Sequence, residues 1–334
     1  MKPLRVLFYG LTHEHAAGKL ETLKRMRDVF EVVAIADDRP DAPPHFVDQT
    51  ADPSGFRLVS ESEALEMSGI DVVFIETTNA RLMEVASKFA ARGVPMHCDK
   101  PCGEAMEPYR SIVETCRAKD LPFQIGYMYR GNPALRFLWD FLVRGGLGEV
   151  TFVEADMNHD YGTAGYPPYM ASFRGGILYN LGCHLVDMVL PMVRGEFKEA
   201  FTWLGAAPGD PAGCGTSGTA LLRFAGTDAL IRTSSHMPGG ILCRRLRVDG
   251  TNGTVDFCPI ERFDGQTLKL SIRLKDAAAG QAAGEHVLDF GVQTDRYAAQ
   301  LSDLAAIVCG DKPNDQDYDR DLKVHELTLK ACGI

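Results

Sequence analysis

The sequence predicts an α/β protein: a doubly wound parallel sheet of the Rossmann type at the N-terminus, followed by an α+β part with a mainly antiparallel sheet. Three observations carry this. Short apolar runs alternate with amphipathic helical segments as far as residue 125. That alternation stops at Gly126. Beyond Ala200 the pattern turns strand-like, with turns at Ala225-Gly226, Asp249-Gly250 and Asn252-Gly253. A chain of 334 residues suits two domains, 1–125 and 126–334, each large enough for its own core.

Arg5–Tyr9 is a short apolar run closed by Gly10, the mark of a buried strand. Ala16–Asp28 is amphipathic and reads as a helix. Phe30–Ala36 is a second strand, ending in Asp37-Asp38. Ser62–Ser68 predicts a short helix opened by a serine cap, and Asp71–Ile75 a third strand. Ala80–Arg92 is a helix stopped by Gly93, Val94–Cys98 a strand, Pro108–Lys119 a helix and Pro122–Gly126 a strand. Helix Asn132–Arg144 carries Pro133 near its start, where proline is tolerated. Val150–Asp156 alternates as a strand does, and a helix is expected over Tyr179–Val193. Thr219–Phe224, Ala229–Ser234 and Leu246–Asp249 are strands. Asp276–Gly284 is a surface loop or hairpin tip, and Tyr297–Val308 and Arg320–Ala331 are closing helices, which could pack back on the first domain.

Composition excludes several classes. A net charge of −10 and a pI near 5.4 argue against a nucleic-acid partner, which calls for a basic patch. No apolar run reaches the roughly 18–20 residues of a membrane span, and Met1 to Arg5 lead into a strand without a signal-peptide pattern. Nine cysteines lie between Cys98 and Cys332 with no Cys-x-x-Cys pair. They are expected to be reduced thiols of a cytoplasmic protein.

In a doubly wound sheet, ligands bind at the carboxyl ends of the strands. The first strand–helix turn runs Gly10-Leu11-Thr12-His13-Glu14-His15-Ala16. Of the dinucleotide fingerprint G-x-G-x-x-G it keeps only Gly10; Thr12 and His15 stand in the other glycine positions. The helix N-terminus still offers N–H groups to a phosphate. Asp37, at the end of the second strand, suits the adenosine ribose and favours NAD over NADP, while Arg39 opposes that preference. His13 and His15 have the spacing of two metal ligands on one extended segment. No third ligand is placed by sequence, and no metal is assigned.

Asp99-Lys100-Pro101 follows the strand VPMHC, and further along stands Gly175-Gly176-Ile177-Leu178-Tyr179-Asn180-Leu181-Gly182-Cys183-His184-Leu185-Val186-Asp187. Together with Thr77-Thr78-Asn79 and the segment Gly126–Pro133 (GYMYRGNP), these resemble the Gfo/Idh/MocA oxidoreductases, whose motifs are E-K-P, G-G-x-L-x-D-x-G-x-H-x-x-D, T-P-N and G-x-x-x-R-x-x-P. The resemblance covers essentially the whole chain. It implies a nicotinamide cofactor, NAD or alternatively NADP, near Gly10, Thr12, His13, His15, Asp37, Thr77, Thr78, Asn79, Asp99 and Lys100. It also implies that Lys100 lies beside the substrate hydroxyl and the nicotinamide and that His184 is the general acid/base. Histidine has a pKa suited to taking a hydroxyl proton near neutrality, and a nearby ammonium stabilises a developing alkoxide. Asp187 is either an orienter of His184 or a structural partner.

The chain departs from the family pattern at Asn180, where the family has Asp, and at Asp99, Thr78 and Leu82. Asn180 can hydrogen-bond a hydroxyl but cannot carry a proton. Substrate contacts are expected from Tyr127, Tyr129, Arg130, His159, Arg174, Asn180 and His184. The polar residues Asn158–Tyr161 and a following Gly/Pro/Tyr loop suit sugar recognition, and Arg174 suits a carboxylate. The expected activity is NAD(P)-dependent hydride transfer at the CH–OH group of a sugar, cyclitol or sugar acid by a homodimer or homotetramer, with no nucleic-acid or membrane partner. Two alternatives stay open: tightly held NAD used for transient oxidation in a non-redox elimination or glycoside cleavage, and a non-catalytic nucleotide or metabolite sensor.

Overall fold

The structure is a computed structural model that describes residues 2–41, 51–161 and 166–334. The chain forms two compact units, Met1–Tyr127 with Tyr297–His325, and Met128–Arg296 with Glu326–Ile334.

The first unit contains β1 (Leu4–Tyr9), α1 (Ala16–Arg25), β2 (Phe30–Ala36), β3 (Leu58–Val59), α2 (Glu61–Glu66), β4 (Val72–Ile75), α3 (Leu82–Arg92), β5 (Met96–Cys98), α4 (Met106–Ala118) and β6 (Phe123–Ile125). Its six strands pair in parallel in the order β3-β2-β1-β4-β5-β6. The order reverses between β1 and β4, which puts the ligand crevice of such a sheet at their carboxyl ends. The runs LRVLFY and VVFI are almost wholly buried, as expected of strands covered on both faces. The serine that caps α2 is Ser60, not Ser62: its side chain accepts the Glu63 N–H, and Ser60–Glu63 has the S-x-x-E spacing of a capping box. α3 ends at Gly93 in the left-handed conformation.

The second unit holds α5 (Pro133–Val143), β7 (Val150–Asn158), α6 (Tyr166–Ala171), α7 (Gly176–Asn180), α8 (Gly182–Val189), β8 (Phe197–Gly205), β9 (Ser217–Phe224), β10 (Asp228–Ser234), β11 (Arg245–Gly250), β12 (Gly253–Phe257), β13 (Thr267–Leu274) and β14 (Gly284–Val292). The eight strands form one sheet in the order β14-β13-β12-β11-β7-β10-β9-β8, antiparallel except for the β7–β10 pair. Strands such as β13 alternate buried and exposed residues, so one face of the sheet is covered and the other is not. α7 and α8 lie against β7, β9 and β10.

The single helix expected over Tyr179–Val193 is two helices, broken at Leu181. The first begins earlier, at Gly176, whose φ is +48° and whose Cβ would stand 2.5 Å from the Gly215 carbonyl oxygen. The Asp276–Gly284 stretch joins β13 to β14 as a hairpin tip. Part of the Gly/Pro/Tyr loop expected after Tyr161 lies outside the described residues.

α9 (Ala298–Val308) packs in the first unit, where Gln300 donates to the Ile125 carbonyl at 2.6 Å. α10 (Tyr318–Cys332) has its residues to His325 in the first unit and the rest in the second. All nine cysteines are free thiols. Among the described residues no helix is long and apolar enough to cross a membrane.

Candidate functional site

In the first unit the predicted residues gather where β1, β4 and β5 end. Gly10 turns the chain at φ +90°, and a Cβ there would stand 2.6 Å from the Thr77 backbone nitrogen. The β1–α1 turn therefore lies directly on the β4–α3 turn, a close approach only glycine allows. Asp38 fastens the two together. It accepts from the Leu11 N–H at 2.7 Å, the Thr12 hydroxyl at 2.6 Å and the Thr77 hydroxyl at 2.7 Å. Thr12 and His13 are both buried, so their side chains are part of the turn's own packing.

His13 donates its backbone N–H to the Glu76 carbonyl at 2.9 Å. Its Nδ1 accepts the His15 N–H at 3.1 Å, which puts the ring hydrogen on Nε2, 2.9 Å from the Lys100 carbonyl. Burial lowers the His13 pKa to about 3 and also lowers that of His15.

Below the turn is a buried charged cluster. Lys19, from the middle of α1, donates to Glu76 at 2.8 Å and to Asp99. Burial would raise the Asp99 carboxyl, but His13, Lys19 and His15 hold it well below the usual range. Burial keeps Glu76 well above its usual value. Asp99 also accepts the Lys100 N–H at 2.7 Å and faces His15 Nδ1 at 3.0 Å. Gly126 is required beside it, since a Cβ there would stand 2.8 Å from an Asp99 oxygen.

Lys100 is wholly buried, and its ammonium donates to Glu14 at 2.8 Å. Burial alone would raise Glu14; the Lys100 charge, with His15 and His13, brings it down to about 2. Glu14, Lys19, Glu76 and Asp38 were not singled out in the sequence. Lys19 did carry a signal, because it shares a helix face with Ala16, Leu20 and Leu23.

Asp37 follows β2 and is gripped by Arg39 from two nitrogens, at 2.9 and 2.6 Å. Its side chain is 20% exposed, so hydrogen-bond capacity remains at the surface. A nicotinamide dinucleotide fits these residues. The bare Gly10 cradle lies at the switch point, an acid ends β2, and α1 starts at Ala16 behind the turn. The pyrophosphate contacts would fall to the start of α1, because Leu11, His13 and His15 have already committed their N–H groups. Thr78 and Asn79 open the α3 side, and Tyr127 is buried at the end of the unit.

In the second unit His184 is buried in α8, edge-on to Tyr129 with ring centroids 5.3 Å apart. Tyr129 donates to Glu261 at 2.6 Å, and the buried Arg244 is paired with Glu261 and 3.0 Å from the Tyr129 hydroxyl. Arg244 also reaches His159, whose ring stacks on Tyr161 at 4.0 Å. Arg244 and Glu261 escaped the sequence reading because nothing local distinguishes them from surface charges in connecting segments. Asn180 is buried, with its amide 3.5 Å from the Tyr166 hydroxyl.

Two of the expected residues meet here: Arg130 grips the buried Asp187 at 3.0 and 2.7 Å, which makes Asp187 a structural partner of Arg130. Arg174 lies at the surface just before Gly175.

Residues 4–127 match the model described as "Oxidoreductase family, NAD-binding Rossmann fold", and residues 136–256 match the "GFO/IDH/MocA C-terminal domain". The rhizopine catabolism protein MocA of Rhizobium meliloti is 29% identical over 204 residues, which cover 57% of this chain and 60% of that protein. A D-apiose dehydrogenase of Rhizobium rhizogenes is 24% identical over 148 residues, 41% of this chain and 43% of that one. The chain thus spans about half of these relatives' length. A 3-ketoreductase from Actinomadura kijaniata, solved with NADP and TDP-benzene, has a TM-score of 0.76 at 20% identity, covering 98% of this chain and 96% of its own. At that identity the likeness shows the fold. With both family models matched in sequence order on the two units, the chain belongs to the Gfo/Idh/MocA oxidoreductase family and carries an NAD-binding Rossmann fold in its first unit.

Proposed function

We propose that the protein oxidises, reversibly, the CH–OH group of a small polyol: a sugar, a cyclitol or a sugar acid. The observation that carries this reading is the buried Lys100 ammonium at the end of β5, held by Glu14 at 2.8 Å. A desolvated cation fixed at the carboxyl edge of a Rossmann sheet is suited to an oxygen that gains negative charge during reaction.

Oxidation of a carbinol removes a hydroxyl proton as the carbon gives up hydride. The nicotinamide, when bound, supplies the hydride acceptor. In this reading the ammonium of Lys100 donates to the substrate oxygen and stabilises charge as it forms there. His184 takes the proton, and Asn180 hydrogen-bonds a neighbouring hydroxyl without carrying a proton itself. The neutral amide, where the family has a carboxylate, leaves proton transfer to His184. His159 supplies a further hydroxyl contact, Tyr127 an aromatic wall, and Arg174 a counter-charge for an acidic substrate. Asp37 would hold the adenosine ribose, and Thr12, His13, His15, Thr77, Thr78, Asn79 and Asp99 would shape the rest of the cofactor site.

The test is reduction of NAD or NADP, followed by nicotinamide absorbance, across a panel of aldoses, cyclitols and aldonic acids. Turnover with at least one class is expected, falling at least a hundredfold in Lys100→Met and in His184→Ala. Binding of neither nicotinamide form by calorimetry, or full turnover in the double variant, would sink the reading.

A further inference from the structure

We propose that the β1–α1 turn and the end of β5 form a binding site for one divalent first-row transition cation of the zinc type, with His13, His15 and Asp99 as ligands and Glu76 as the fourth. The sequence offered two histidines with no third partner. The fold brings His13, His15 and Asp99 together, with one ligand atom from each inside a span of 4.8 Å.

Three ligand-atom separations lie near those of such an ion. A tetrahedral centre with bonds of about 2.0–2.2 Å separates its ligand atoms by roughly 3.3–3.6 Å. Here His15 Nδ1 and Asp99 Oδ2 are 3.0 Å apart, His13 Nδ1 and Asp99 Oδ2 3.2 Å, and His13 Nδ1 and Glu76 Oε2 3.7 Å. Two further features point to a cation. Glu76 Oε2 is buried without a hydrogen-bond partner, and it lies on the His13 side of the cluster. The Nε2–H of the His13 ring goes to the Lys100 carbonyl, so Nδ1 is its ligand atom, and an ion there would take the lone pair that now accepts the His15 N–H. Metal-bound histidines characteristically anchor their other nitrogen on such an acceptor.

Two imidazoles and two carboxylates suit Zn2+ or its neighbours better than Mg2+ or Ca2+, which take oxygen ligands. On binding, the His15 ring hydrogen moves from Nδ1 to Nε2, and the freed Nδ1 becomes the ligand atom. Its side chain is 11% exposed, which provides the route in. Lys19 keeps Glu76 Oε1, at 2.8 Å, and gives up its contact with Asp99 Oδ2 to the ion. The ion would then clamp the turn to β5 where the glycine fingerprint is missing.

The proposal does not rest on the dehydrogenase reading, and its test needs no nicotinamide. Untagged full-length protein is stripped with a chelator, desalted and titrated with Co2+. One equivalent should bind with the intense visible d–d absorption of a tetrahedral site, and Zn2+ should displace it. Zn2+ should also raise Tm in proportion to the logarithm of its free concentration. His15→Ala should weaken Co2+ binding at least tenfold, as should Asp99→Asn. His286→Ala, at a half-buried histidine on β14 in the second unit, should change nothing. If Asp99→Asn does not fold, His15→Ala decides the matter, since its ring is the partly exposed one. The proposal is overturned if wild type binds Co2+ no better than His15→Ala, or if the spectrum is the weak one of an octahedral aquo ion.

Discussion

Replacing Lys19 by methionine keeps most of the side chain's volume and removes its charge, which makes it a direct probe of the buried cluster. In wild type the ammonium is fully buried and bound to both Glu76 and Asp99. Asp99 keeps its charge largely because Lys19 and the two histidines face it. Taking one partner from a buried ion pair destabilises by about 3–5 kcal/mol, because the remaining charge cannot be resolvated. Fully exposed pairs such as Arg273–Glu285 are worth about 0–1 kcal/mol at most. The two units can unfold separately, so a single global midpoint is a poor readout. Hydrogen exchange in increasing urea, followed on peptides from β1, β4 and β5, isolates the first unit, with β9 and β10 as internal reference. The expected result is a loss of about 3–5 kcal/mol in the β1, β4 and β5 peptides with no change in the reference. Adding Asp99→Asn should restore about 1–3 kcal/mol, since no charge is then stranded. A loss below about 1 kcal/mol in Lys19→Met would refute the claim that this lysine neutralises the cluster.

Further expectations follow from single contacts. Gly10→Ala places a Cβ 2.6 Å from the Thr77 nitrogen at φ +90°; strain and overpacking together should remove about 2–5 kcal/mol, read by the same exchange experiment. Asp37→Ser removes the acid that Arg39 now grips and frees that guanidinium for a 2′-phosphate. The NADP-to-NAD affinity ratio should rise about tenfold by calorimetry, or about 1.4 kcal/mol. His325 is buried against the Ala105 carbonyl, and burial lowers its pKa. Below the unfolded value of about 6.5 the unfolded chain takes up the proton before the folded one does. Stability is therefore highest above that pH and falls as pH drops through the lowered folded value. His325→Gln should flatten part of that slope, and an unchanged slope would exclude the residue as its source.

The fold was legible because its signals are local and repetitive. FEVVAIA and DVVFI read as buried strands from their lack of any polar face, and the helix stop at Gly93 could be placed from the residue alone. Lys100 and His184 were found through motifs, which fix residue type and spacing together. The partners of those residues were not legible. Glu14 is separated from Lys100 by most of the Rossmann unit, and Arg244 meets Tyr129 and Glu261 from connections far apart in sequence. Asp38 illustrates the limit well. The Asp37-Asp38 doublet was visible, but the sequence does not say which acid turns outward. The structure sends Asp37 to Arg39 and folds Asp38 under the turn. The break at Leu181 was hidden for the same reason: Gly176 begins a helix because Gly215, distant in sequence, lies against it.

The missing glycines look like damage to a cofactor turn if each position is read alone, but the contacts show a coordinated replacement. Thr12 supplies a hydroxyl, and Asp38 uses it together with the Leu11 N–H and the Thr77 hydroxyl. His13 and His15 fill space above Asp99, and Lys19 below them balances the carboxylates. Consistency among neighbours of this kind is what makes a sequence specify one conformation. Restoring the fingerprint at one position should therefore harm the turn instead of repairing it. Thr12→Gly removes one of three donors to a buried carboxylate, a loss of about 1.5–3 kcal/mol, and adds backbone freedom worth about 0.5–1 kcal/mol in the unfolded chain. The sum is about 2–4 kcal/mol, read from exchange in the β1 and β4 peptides. Nicotinamide affinity should fall or stay level, because the N–H groups of Leu11 and His13 remain bonded to Asp38 and to the Glu76 carbonyl. If Thr12→Gly instead bound cofactor more tightly with stability unchanged, Thr12 would be an obstacle in an otherwise ordinary turn, and the account of a rebuilt one would be wrong.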